Sequence, residues 1–543
     1  MERLTESNKL KDQREMIKIM TQHSFAPRLK SLALVFGIAL AFASCANEDI
    51  VQNPNGTDNN KNFTIFSTGD PVTRTSMESN GAFYWEAGDK IWVKDDNGAW
   101  QQSRNAPTEK TASFKFEVPG KFTKTNTYKV YYPGQNGNQN QVTIAANQSQ
   151  AVPNTTAHFG TAGDCGMADA AWSNAKNGFA FTLDHKAAYL LFLPRTANTI
   201  LHDCYLTKVE VNSDNDITST YTLDPVTGKL TGTGTGKQII VSTGGSGTYA
   251  NGFPLTNNAT SAATNGAYVV IKPGTHILKI RYWVKDVATN VEGTITKILS
   301  SATYDQNKYY NITANLDVKN YDGDKYYMWD AQQNYWAGHE WNTANPWQPT
   351  LTTQPANPNY AKSNTDPRYY NESFPGMGIS YHATHTPCKD LPNANEMSWY
   401  AMYGDPRWDA DELWTTMGHL YKGGMWFKKK SVLQAEHNYD TEKSADGTTD
   451  LHTTWKQYIN SNSSINNSGL PSAADAGNYF YLPALGVYAS GQLYDAGNAG
   501  WYWSSSAYPW LSNYAYSLYF RSGLVYVYNL PRDKGFRVEP TCE

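Results

Sequence analysis

Several clusters in this chain carry side chains suited to chemistry. His382, His385 and Cys388 stand two residues apart in turn, and imidazole with thiolate suits zinc. No fourth ligand follows, so no zinc site is assigned. Asp405, Asp409 and Asp411 offer the hard oxygens calcium takes and are weak calcium candidates; the competing reading is a solvated helix entry. Ser504-Ser505-Ser506 lacks the Gly-x-Ser-x-Gly setting that exposes a nucleophile on a strand-to-helix turn. Glu396 and Glu412 are the candidate pair for glycoside hydrolysis, which needs two carboxyl groups in one cleft. His185 lies in the run Phe181–Phe192 and reads as a half-buried strand residue. The expectation is a chain with no catalytic residue, no obligatory cofactor and no enzymatic activity.

Rings outnumber reactive groups. Twelve of the 17 tryptophans follow Lys325. Tyr508, Trp510 and Tyr514 share a loop with Pro509, Ser512 and Asn513. Exposed rings beside amides and hydroxyls suit sugar stacking or protein contact, so these three are the candidate ligand-binding residues.

Strands must position them. Ala515–Phe520 and Leu524–Tyr528 are aromatic and β-branched runs joined by Arg521-Ser522-Gly523, which predicts a hairpin. Phe536-Arg537-Val538 adds a short last strand. Asn393 can cap a helix carrying Met397, Tyr400 and Ala401, with Gly404 at its end; a second helix is expected over Asp411–Leu420. Upstream, Leu278, Ile280 and Tyr282 alternate with Lys279, Arg281 and Trp283, a strand with one apolar face. A net charge of −4 over 543 residues gives nucleic acid no electrostatic hold. At 13% aromatic and 17% charged, most of the chain is expected to fold.

Ser31–Ser44 is the only long apolar run, and Arg28 and Lys30 precede it. It is short for a membrane span, which needs about 20 residues, and reads as a signal peptide. Phe42-Ala43-Ser44-Cys45 resembles a bacterial lipobox. The resemblance implies cleavage before Cys45, a lipid on its thiol and an outer-membrane anchor. Ala46-Asn47-Glu48-Asp49 resembles the outer-surface export signal of Bacteroidetes lipoproteins. The expected division is 1–44 signal peptide and 45–62 tether. Four further cysteines, Cys165, Cys204, Cys388 and Cys542, permit disulfides in an exported chain. The expected pairs are Cys388 with Cys542 and Cys165 with Cys204, although spacing alone does not fix connectivity.

Thr73-Arg74-Thr75, Trp85–Val93, Phe181–Phe192, Leu223–Leu230 and Tyr309–Val318 resemble, in order and spacing, the fimbrillin-like pilins of Bacteroidetes. The resemblance covers Phe63–Val318. It implies two tandem transthyretin-like β-sandwiches, 63–185 and 186–318, and assembly by strand replacement. In that process a protease cuts after a basic residue, here Arg74, and releases the first strand, Phe63–Phe66. A neighbouring pilin subunit then fills the groove with its C-terminal strand.

A shaft subunit would place its donor strand where this chain has the linker 319–325. The chain instead continues to 543. Leu391-Pro392, Glu396-Met397, Trp399-Tyr400, Tyr481–Gly486, Tyr502–Ser506, Ala515–Phe520 and Gly535–Val538 resemble the Fibrobacter major paralogous domain, which is similar to C-type-lectin-like folds. The resemblance implies an α+β C-type-lectin-like module over 326–543. The fold class is thus mainly β. The expected role is a surface lipoprotein acting as tip or accessory subunit of a fimbria, whose last module binds a host protein or glycan. The alternative is a glycan-capture lipoprotein of a nutrient-uptake system outside any fibre.

Overall fold

The computed structural model describes residues 63–68, 76–77, 83–287, 290–372, 382–466 and 469–539, and the backbone strand Met20–Ser24. Cys45, Arg74 and Cys542 lie outside the described residues. The chain is mainly β, as expected.

In the region expected to form the first sandwich, Thr64–Thr68 lies between Gly178–Phe181, parallel to it, and Lys115–Val118, antiparallel to it. It is an interior strand, and Phe66 is its anchor, fully buried and stacked on Phe179 at 5.0 Å. Gly178 allows the close approach, because a Cβ there would meet the Ile65 carbonyl oxygen at 2.6 Å. The sheet continues through Gly166–Ser173, Tyr128–Tyr132 and Trp92–Lys94. Trp85, Ile91, Val93 and Val130 close the core.

In the second sandwich, Ala188–Arg195 is buried along nearly its whole length. It pairs with Ala267–Ile271 and Lys308–Asn315. Met20–Ser24, inside the segment read as the signal peptide, runs antiparallel along the outer edge of Lys308–Asn315. The opposing sheet is built from Cys204–Ser213, Gln238–Thr243, Gly274–Asp286 and Glu292–Tyr304. Leu278, Ile280 and Tyr282 are fully buried, as their alternation predicts. On the other face Lys279 and Arg281 are only 5% and 6% exposed, because the last module packs over them.

That module joins the second sandwich edge to edge. Thr294 pairs in parallel with Glu412, and the sheet runs on through Arg407–Thr416, His419–Lys428 and Tyr479–Pro483. Asn320–Tyr321 pairs with Thr415–Thr416, so the segment expected to be a linker is built into the module's edge. A second sheet runs Tyr326–Tyr327, Phe536–Arg537, Ala499–Ala507, Tyr514–Arg521, Leu524–Pro531, Tyr458–Asn460. The helix Ala394–Tyr403 lays Met397, Tyr400 and Ala401 into the same core as Leu518, Phe520 and Val527. Asn393 and Glu396 form a reciprocal capping box at its start, and Gly404 closes its end.

Three expectations are corrected. Asp411–Leu420 is no helix: Thr416 pairs with His419 across a two-residue loop, Met417-Gly418, with φ of 49° and 79°. Two left-handed residues in succession make a tight hairpin turn, and the aromatic neighbours pack as strands. The hairpin near the end turns over Ser522-Gly523, since Arg521 pairs with Leu524. Cys165 and Cys204 are free, buried thiols, as is Cys388. Cys165 sits beside the Lys186 backbone and Cys204 donates toward the Ile200 carbonyl; each thiol is buried in its own setting and the expected Cys165–Cys204 bond is not made.

Candidate functional site

The end of the long strands Ala499–Ala507 and Tyr514–Arg521 holds the aromatic loop. Pro509 and the backbone bonds Tyr508 N–H to Tyr514 O and Tyr514 N–H to Leu511 O fix a compact turn. Arg532 braces it from beneath. Its backbone N–H donates to Asn513 O, its Nε to Tyr514 O at 2.9 Å, and its guanidinium lies over Trp329 at 4.3 Å. The turn brings all three candidate rings together: Tyr508 lies 6.4 Å from Trp510 and 6.4 Å from Tyr514. Trp510 is 49% exposed and Leu511 45%.

Sequence reasoning missed the fourth ring. Trp455 is 39% exposed and 6.2 Å from Trp510. Its indole N–H donates to Asn529 Oδ1 at 3.2 Å, which fixes the ring. The available signal was a lone Trp in the polar run His452–Gln457, where no apolar period calls for burial. Burial raises the Tyr508 hydroxyl above its usual range, so that ring is neutral at physiological pH. Neutral, rigid, partly exposed aromatics can stack on sugar rings or anchor a protein contact.

The other clusters are structural. Asp330, fully buried, accepts from the backbone N–H of Thr384 and His385 at 2.7 and 2.6 Å. His385 Nδ1 contacts the Asp330 carbonyl at 2.9 Å, while the Asp330 N–H donates to Cys388 Sγ at 3.3 Å. Burial pushes the Cys388 thiol up to about 12, which keeps it protonated. His382 packs against the His452 ring, centroids 4.5 Å apart and tilted by 49°. The calcium candidates are taken by cations and donors, and Asp409 and Asp411 share Arg281. Asp405 takes Arg407 Nε and the Tyr479 hydroxyl, Asp409 takes Arg281 and the Trp426 indole, and Asp411 faces Lys422. Among the described residues no group of three or more His, Cys, Asp and Glu is placed to hold a metal ion.

Glu396 is spent on the helix cap and on Tyr439 and Lys430. Glu412 accepts from Thr294 and Thr296 of the second sandwich, so the two carboxylates share no cleft. His185 is 2% exposed and bonds Asp164 at 2.9 Å. The serine run holds one arrangement that spacing did not foretell. Ser506 Oγ lies 3.1 Å from His452 Nε2, and His452 Nδ1 lies 2.7 Å from Asp450 Oδ1. The order matches a nucleophile, base and orienting acid. Ser506 is nevertheless fully buried, and Oγ already accepts the Ala394 backbone N–H at 2.9 Å. The trio is therefore a hydrogen-bonded pin between the helix start, a loop and the sheet.

No protein-family profile and no curated protein matches the chain. Solved structures give distant likenesses. A Bacteroides ovatus protein provisionally named for cell adhesion is 14% identical, covering 45% of this chain and 89% of its own, with a TM-score of 0.28. The fimbrial anchor protein Mfa2 of Porphyromonas gingivalis is 11% identical over 44% and 82%, with a TM-score of 0.21. A fimbrial protein of Bacteroides ovatus is 11% identical over 88% and 99%, with a TM-score of 0.23. At these scores the likenesses carry no argument about this chain.

Proposed function

We infer that the chain is the tip or accessory subunit of a fimbria, lipidated at Cys45, that binds a host protein or glycan through Tyr508, Trp510, Tyr514 and Trp455. One observation carries the reading. The C-terminal strand Phe536–Arg537 is held inside its own module, between Tyr326–Tyr327 and Tyr502. Arg537 is fully buried and donates to the Asp322 carbonyl at 2.7 Å. A strand enclosed in this way is not free to complete a neighbour's sheet, and a subunit at the end of a fibre needs no donor.

The first sandwich supports the accepting role. Thr64–Thr68 fills an interior slot, so its release after cleavage at Arg74 would open an apolar groove with two unpaired strand edges, the template an extended segment fills. Removal of 1–44 likewise frees the outer edge of Lys308–Asn315. Gold-labelled antibody against 326–543 tests the placement: label at fibre ends is expected, and label spaced along the shaft overturns it. A glycan and matrix-protein array probed with the full chain tests the binding role, with loss of signal expected in Trp510→Ala.

A further inference from the structure

A second concavity lies far along the chain from the aromatic loop, where the second sandwich hands over to the last module. It is a cavity of about 240 Å³ lined by Asn320–Asp324, Glu340–Asn342 and Met417. Tyr321 and Met417, both buried, form its apolar floor. One wall is the Trp341 indole, and glycines keep that ring uncovered. A Cβ at Gly323 would sit 2.8 Å from Trp341 Cδ1 and 3.0 Å from Nε1, and one at Gly418 would lie 3.4 Å from the ring.

The walls are tied together by one buried amide. Gln348 Oε1 accepts the Trp341 backbone N–H at 3.1 Å, and its Nε2 donates to the Gly323 carbonyl at 2.8 Å. Thr415 Oγ1 holds the Asn320 side chain at 3.0 Å, and Asn334 Nδ2 holds Glu340 at 2.9 Å. A cavity held this way loses little freedom when filled.

Its charge is one-sided. Asp322, Asp324 and Glu340 line the cavity, yet none forms an ion pair with any described residue. Two cations border the cavity without pairing with these carboxylates: Lys319 Nζ lies over the Tyr321 ring at 4.7 Å, and Arg537 donates to the Asp322 carbonyl and pairs with Glu539. Uncompensated carboxylates beside an open indole attract an ammonium group, through direct charge and through the ring's negative face. The Asn342 amide and the carboxylate oxygens left over suit hydroxyl groups around that ammonium.

We propose that this cavity binds an amino sugar with a free amine, the sugar face on Trp341 and the ammonium among Asp322, Asp324 and Glu340. The site is separate from the aromatic loop and does not depend on it. Calorimetric titration of the full chain with glucosamine, N-acetylglucosamine, glucose and lysine methyl ester tests it.

Glucosamine is expected to bind in the millimolar range and to weaken as salt rises. N-acetylglucosamine and glucose are expected to bind about tenfold more weakly or worse, since each lacks the charge-assisted bonds. Asp322→Asn with Asp324→Asn, two exposed isosteric changes, is expected to cost glucosamine about tenfold in affinity without moving Tm. Equal affinity for glucosamine and N-acetylglucosamine overturns the proposal. So does undiminished binding in the double variant, binding of lysine methyl ester without glucosamine, or no binding of glucosamine.

Discussion

At the scale of single residues, the aromatic site and the buried pin make opposite predictions. Trp510 is half exposed and braced from below, so Trp510→Ala should abolish ligand capture on the array while leaving stability within about 0.5 kcal/mol, as surface changes do. Ser506 is enclosed and satisfies both a backbone N–H and His452. Ser506→Ala strands those partners and should destabilise the chain by about 1–3 kcal/mol, read by chemical denaturation. The wild-type chain should resist labelling by a fluorophosphonate, because no path reaches Oγ. Tyr508, Trp510 and Tyr514 were legible because Pro, Ser and Asn around them mark a loop. Trp455 and the His452–Ser506 contact were not, since both depend on segments about 55 residues apart in the chain meeting across the sheet.

At the scale of elements, local signals were the reliable ones. The helix Ala394–Tyr403 was readable from its cap to its closing glycine because both are local to the chain. Asn393→Ala removes the capping bond to the Glu396 N–H, 2.9 Å in the structure, and should cost about 1 kcal/mol, measured as a lowered Tm. Arg407–Thr416 was misread beyond Asp411. Its spacing fits a helix, but the Met417-Gly418 turn and pairing with His419–Lys428 decide the conformation, and pairing is not local. The burial of Lys279 and Arg281 was equally hidden: alternation shows a polar face, not what covers it. Arg281 Nη2 lies 3.3 Å from Asp409, and Lys279 donates to the Pro471 carbonyl.

At the scale of the whole molecule, that covered face makes the last module and the second sandwich one joined body. Glu412 sits in the joint, facing Asp409, Arg281 and Lys297, with Thr294 and Thr296 donating to it. Burial, followed by the Asp409 charge, raises its carboxyl from 4.5 to about 7. The native chain therefore holds a proton there that the unfolded chain has released, between about 4.5 and about 7. Stability from this group falls as pH rises through that window. Glu412→Gln should flatten the dependence and raise Tm above pH 7 relative to wild type, checked by thermal melts from acid to mildly alkaline buffer.

The central claim is that the strand Phe536–Arg537 belongs to its own module and is not lent to a neighbour. Hydrogen–deuterium exchange of Tyr514–Arg521, Leu524–Pro531 and Phe536–Arg537, in the isolated chain and in assembled fibres, tests it most directly. The account predicts strong and equal protection in both states. Free exchange of Phe536–Arg537 in the isolated chain, with protection gained only when a pilin partner is added, would contradict it.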